Sequence, residues 1–146
     1  MGAMRRIRKG VAAIIFLDKD NRRKYLLFRR KMHWKGWEWM KGGKKKEESE
    51  LASLKREIRE ETGKQEGEYK IKRTNIYHRF DYEMPFIHDK QVWNGAKNRV
   101  FLIEFFDRKI RIGKLEHLGY EWFDKKDALK KITWPDQQKI FKRIAF

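Results

Sequence analysis

Arg56-Glu57-Ile58-Arg59-Glu60-Glu61-Thr62-Gly63 is the stretch from which the rest of this chain is read. Leu51, Leu54 and Ile58 recur at helical spacing across residues 47–62, which predicts a helix, and Gly63 supplies its C-terminal stop. On that helix Glu57, Glu60 and Glu61 project from one face, because residues three and four apart are neighbours on a helix surface. As helix chemistry the arrangement is poor: like charges repel at this spacing, and negative charge in the last turn opposes the helix dipole. Two readings follow. One is a solvated acidic face balanced by nearby Lys and Arg. The other is a set of carboxylate ligands for a hard cation such as Mg²⁺ or Mn²⁺, whose charge removes the repulsion.

Working outward, residues 9–18 (KGVAAIIFLD) and 24–32 (KYLLFRRKM) are apolar runs joined by the turn-rich Asp18-Lys19-Asp20-Asn21, and read as neighbouring strands. Residues 33–46, with Trp34, Trp37, Trp39 and the pair Gly42-Gly43, read as a loop. Residues 69–84 alternate imperfectly and predict a long or bent strand ending at Pro85, with residues 85–97 as loop. Residues 99–106 (RVFLIEFF) form the most apolar strand, and residues 120–123 a short one. Residues 125–131 and 135–144 read as helices, the second with Pro135 in its first turn, where a missing N–H costs little. This order predicts an α/β fold, a sandwich around a mixed sheet.

The 146 residues are 40% apolar and 14% aromatic, enough for one core, so residues 5–146 are expected to be a single domain. Met1-Gly2-Ala3-Met4 reads as an expression scar ahead of the native start. Without cysteine there is no disulfide framework or thiolate metal site, and with no apolar run of membrane-spanning length or signal-peptide core the expected location is the cytoplasm, with no membrane partner. The net charge of +17 attracts phosphates and nucleic acids, although a Lys-rich solubilising surface explains it as well. Residues 47–68 hold eight acids and four bases, leaving −4 locally and +21 elsewhere. An acidic island stands in a basic chain.

Gly42, five residues, Glu48, seven residues and then Arg56 to Gly63 resemble the Nudix box at one register. Two positions depart from it: Lys64 stands where the family has an aliphatic residue, and Met40 precedes Lys41 where many relatives have proline. The resemblance extends more weakly over residues 9–146, and it implies the Nudix fold, an α/β/α sandwich with a central mixed β-sheet, in a MutT-like hydrolase. It implies that Glu57, Glu60 and Glu61 bind Mg²⁺ or Mn²⁺, that Arg56 and Glu48 hold loop and helix in register, and that water attacks a phosphorus. The general base is Glu60 or the downstream Glu116.

For substrate, Glu116-His117-Leu118-Gly119-Tyr120-Glu121-Trp122 is similar to a stretch of dinucleoside polyphosphate hydrolases, with Tyr120 and Trp122 also read as strand core. Tyr82, eighteen residues beyond Lys64, falls near the base-stacking aromatic of the diadenosine polyphosphate branch, and Tyr77 is its rival. Lys41, Gly42, Gly43, Arg29 and Arg30 are candidates to meet phosphates from the loop and strand beside the box. Trp93-Asn94-Gly95-Ala96-Lys97-Asn98-Arg99-Val100-Phe101 resembles a degraded form of a stretch in RNA pyrophosphohydrolases, Ala96 and Asn98 replacing two glutamines and Trp93 serving as base platform or loop anchor. The reading is therefore a hydrolase of diadenosine tetraphosphate or a related nucleotide, monomeric or homodimeric. Its alternatives are an enzyme acting on RNA 5′ ends through the basic surface and, from another class, a non-catalytic nucleic-acid-binding module.

Overall fold

The computed structural model describes residues 6–30, 35–88, 90–111 and 117–146. Among them, one sheet is built from β1 (Ile7–Lys19), β2 (Arg22–Arg30), β3 (Gly36–Glu38), β4 (Met40–Gly43), β5 (Tyr69–His88), β6 (Gln91–Phe105) and β7 (His117–Asp124). The helices are α1 (Glu50–Thr62), α2 (Lys125–Lys131) and α3 (Pro135–Ala145). Strand order is β3-β2-β1-β6-β5, with β4 pairing β1 and β7 pairing β2. β1 runs parallel to β6, while the other pairs are antiparallel, so the sheet is mixed.

Alternation along β1 explains the layers. Val11, Ala13, Ile15 and Leu17 face a core closed by Leu54 and Ile58 of α1; Ala12, Ile14 and Phe16 face a second core closed by Ala128 of α2 and Phe141 of α3. A strand buried on both faces reads as a continuous apolar run, which is why residues 11–17 show no polar interruption. The result is an α/β/α sandwich. Leu54 and Ile58 are fully buried, and each contributes about 2 kcal/mol by leaving water. The predicted aliphatic slot after Gly63 is filled differently: buried Lys64 places its ammonium 2.5 Å from Asp107, which holds that carboxyl below its ordinary range.

Four expected boundaries are corrected. The loop over residues 33–46 contains β3 and β4, short strands held by partners β2 and β1 that local sequence does not reveal. Pro85 does not end β5, because β5 lies at the sheet edge and the pairing register shifts between Asp81 and Phe86, where a missing N–H is tolerated. Residues 85–97 are accordingly the far end of the β5–β6 hairpin rather than a loop, since Phe86↔Trp93 and Asp81↔Gly95 pair. Helix α1 starts at Glu50 because Ser49 caps it, its side chain accepting from the Ala52 N–H at 3.0 Å. Among the described residues no helix is long and apolar enough to cross a membrane.

Candidate active site

Gly63 ends α1 in the left-handed conformation at φ 76°, so Glu57, Glu60 and Glu61 occupy its last two turns, with Glu57 beside Gly42 of β4. Glu57 and Glu61 are 3% and 1% exposed, and the Glu60 side chain is 38% exposed. The solvated acidic face expected as one reading is therefore wrong for two of the three.

Arg56 organises the cluster. Its Nε and Nη2 donate to the two oxygens of Glu48 at 2.7 and 2.9 Å, and Nη2 also donates to the Gly43 carbonyl at 3.0 Å. Nη1 donates to Glu57 Oε1 at 2.9 Å and to Glu60 Oε2 at 3.3 Å. One planar guanidinium thus ties helix to loop and offsets the repulsion between two of the glutamates, a task for which a lysine lacks the donors. The Lys45 N–H gives Glu48 a further bond at 2.9 Å. Chiefly through the Arg56 bonds, the Glu48 carboxyl is lowered to about 2, while the Arg56 guanidinium is stabilised in its charged form.

The two glycines have different neighbours. A Cβ on Gly42 would overlap the Glu57 carboxylate, so this glycine is the cradle in which the carboxylate lies. A Cβ on Gly43 would meet the Arg8 guanidinium, the far end of a flexible side chain. Gly42 pairs with Val11 and Gly43 with Gly10, so β4 separates Glu57 on the α1 side of the sheet from Arg8 on the other.

Lys41 lies 3.9 Å from the buried Glu38 carboxylate and 4.9 Å above the Phe80 ring. Phe80, Tyr82, Phe86 and His88 follow one another along β5 with ring centroids 5.7, 5.9 and 6.1 Å apart, and His88 is bonded to Arg8 at 3.3 Å. Tyr82, its hydroxyl raised by burial, thus belongs to an aromatic ledge beside Lys41 and Arg8. Tyr77 does not join it: strand alternation turns it to the α1 face, where Lys97 and Arg99 cover its ring at 4.8 and 5.9 Å. Arg30, not Arg29, pairs with Glu38, at 3.3 Å, whereas Arg29 is exposed on β2. Trp93 is half-buried opposite Phe86 in the hairpin. Trp122 packs at the edge of the α1-side core and Tyr120 is partly exposed. Glu116 lies outside the described residues.

Sequence reading missed Glu38, Arg8 and the buried His78. A signal existed for Glu38, an acid between the tryptophans of Trp37-Glu38-Trp39; for Arg8 it was only its place ahead of an apolar run. His78 bonds Asp136 of α3 at 2.6 Å and stacks on Phe80 with centroids 4.8 Å apart, and burial lowers its pKa despite the carboxylate.

Among the described residues no three His, Cys, Asp or Glu side chains already converge on a metal position. The donor set nevertheless fits a hard divalent cation: clustered carboxylates on one helix, one of them in a glycine cradle too close for any side chain.

The model of the NUDIX domain matches residues 7–144. The C. elegans Ap4A hydrolase in a binary complex is similar in structure, with a TM-score of 0.74 at 17% identity over 95% of this chain and 96% of that one. The E. coli dihydroneopterin triphosphate pyrophosphohydrolase gives 0.75 at 16% over 95% and 97%. A MutT protein from Methanosarcina mazei gives 0.73 at 18% over 99% and 96%. No curated protein matches in sequence. At these identities the structural likenesses show the fold.

Proposed function

The chain belongs to the NUDIX family, hydrolases of diphosphate linkages that generally use divalent metals, and from that premise we propose that it cleaves diadenosine tetraphosphate or a related dinucleoside polyphosphate with Mg²⁺ or Mn²⁺. The observation that carries the reading is the Arg56 network, which ties Glu57 and Glu60 to the Gly43 carbonyl of β4 within one set of hydrogen bonds. Glu57, Glu60 and Glu61 would hold the ion, which when bound would withdraw charge from the phosphates and lower the pKa of the attacking water.

The chain's own groups supply the rest. Glu60, the most exposed of the three, takes the proton from water at a carboxylate oxygen, with Glu116 as the other candidate base. Lys41 and Arg8 supply positive charge to the phosphate chain, and Gly42 and Gly43 leave room for the Glu57 carboxylate and the Arg8 guanidinium against the backbone. Tyr82, with Phe80 and Phe86 supporting it, stacks on a base. The C. elegans Ap4A hydrolase, alike over almost the full length of both chains, supports the choice of substrate. The protein is expected in the cytoplasm, as monomer or homodimer.

The test is product analysis with Mg²⁺ and then with chelator, comparing diadenosine tetraphosphate, nucleoside triphosphates and 5′-triphosphorylated RNA. Metal-dependent release of ATP and AMP from the dinucleotide is expected. Preferential release of pyrophosphate from RNA would transfer the substrate to RNA ends, and no turnover of any of them would point to a binding module.

A further inference from the structure

The α1-side face of β1, β6 and β5 carries a row of charges that stability does not explain. Lys9 pairs with Lys97, and Lys97 with Arg79, so three cations lie directly across adjacent strands, each exposed. Like charges in such pairs destabilise a sheet. On the next rung Arg99 pairs with Tyr77, whose ring is 46% exposed and lies against both Lys97 and Arg99. The Lys44 N–H donates to the Lys9 carbonyl at 2.9 Å, which brings the run Lys44-Lys45-Lys46 to the end of the row. A cationic track therefore leads from the end of β4 to an aromatic platform. Two acids border it: Glu50 is tied to Arg99 at 3.4 Å, and Asp81 lies beside Gly95.

We propose that this track binds single-stranded RNA, its phosphates on Lys9, Lys97 and Arg79 and a base on Tyr77. The inference is independent of the hydrolysis assigned above. An exposed ring flanked by cations suits a strand whose base faces are free, whereas a duplex hides them; an acidic protein or an anionic membrane uses the charges but has no base for the ring. The row also lies across the sheet from Tyr82, so it is a second surface and not part of the aromatic ledge.

Binding of the full chain to a fluorescein-labelled 5′-hydroxyl RNA dodecamer, which lacks any terminal phosphate to cleave, is measured by anisotropy from 50 to 300 mM salt. The Lys9→Ala/Arg79→Ala/Lys97→Ala protein is expected to lose about tenfold or more in affinity, with the slope of log K against log salt reduced by about two, for three phosphate contacts. Tyr77→Ala is expected to lose about fivefold or more with the slope unchanged, and Tyr77→Phe to restore binding. A control triple, Lys126→Ala/Lys130→Ala/Lys139→Ala, removes equal charge from α2 and α3; thermal melts verify folding. Equal losses in both triples, or an unchanged row triple, would overturn the proposal. So would a row triple that loses phosphatidylserine vesicle binding but keeps RNA.

Discussion

The last turns of α1 and the far half of the β5–β6 hairpin treat charged and aromatic groups in opposite ways. Around α1 the charges are linked and, at Glu57 and Glu61, buried: Arg56 bonds Glu48, Glu57, Glu60 and the Gly43 carbonyl, and Ser49 and Gly63 set the helix ends. In the hairpin Met84, Ile87 and Val92 are exposed, and the aromatic rings touch chiefly one another. A network in which each group restrains the next keeps fixed spacing in sequence, because moving one member leaves a buried charge unmatched. An exposed platform needs only a ring or a cation somewhere on the right face. On the proposed reading the first region fixes the chemistry, and the second selects what is bound.

The largest effect should come from the α1 side. Glu61→Gln keeps the shape of a buried side chain and removes one ligand charge, so turnover should fall by about 100-fold or more while the thermal melt stays near that of the parent protein. A folded variant with full activity would break the assignment of α1 as the catalytic element. Next are the paired glycines. Gly42→Ala drives a methyl into the Glu57 carboxylate and should cost about 1–3 kcal/mol of stability together with most activity, whereas Gly43→Ala meets a movable Arg8 and should be milder in denaturant titrations and rate assays alike. Equal effects would mean that the cradle is not specific.

On the hairpin side, Tyr82→Ala should raise KM for diadenosine tetraphosphate by about tenfold with little change in kcat, and Tyr82→Phe should restore it, since stacking needs the ring and not the hydroxyl. The smallest effects are on pH. Glu48 titrates near 4.5 when unfolded and at about 2 when folded, so the folded state binds fewer protons and its stability, full above about pH 4.5, is lost as pH falls toward 2. His78 is also lowered, by burial, so its contribution is present above its unfolded value of 6.5 and declines below it. Thermal melts between pH 7.5 and 5.5 should therefore fall less steeply for His78→Leu than for the parent protein; parallel curves would remove His78 as the titrating group.

The α1 region was legible because helix periodicity, the C-terminal glycine and the box spacing are all local. That Glu57 and Glu61 are buried was not, since burial depends on distant segments such as β4, whose Gly42 receives the Glu57 carboxylate. β3 and β4 carry no strand signal of their own, because their strand character resides in their partners. Tyr77 and Tyr82 were rivals in sequence, and only the pairing of β5 with β6 and the rings around each showed that they serve opposite faces.

By itself, then, the sequence determined the helix, its glycine stop, the continuous apolar strands and the spacing of the carboxylates, all of which follow from periods within a few residues. Tertiary structure decided which charges are buried, which arginine of Arg29-Arg30 faces Glu38, and that Lys9, Arg79 and Lys97 form one row. Those outcomes depend on strand register, where a shift of one residue turns every side chain to the other face, and register is fixed by contacts between segments far apart in the chain.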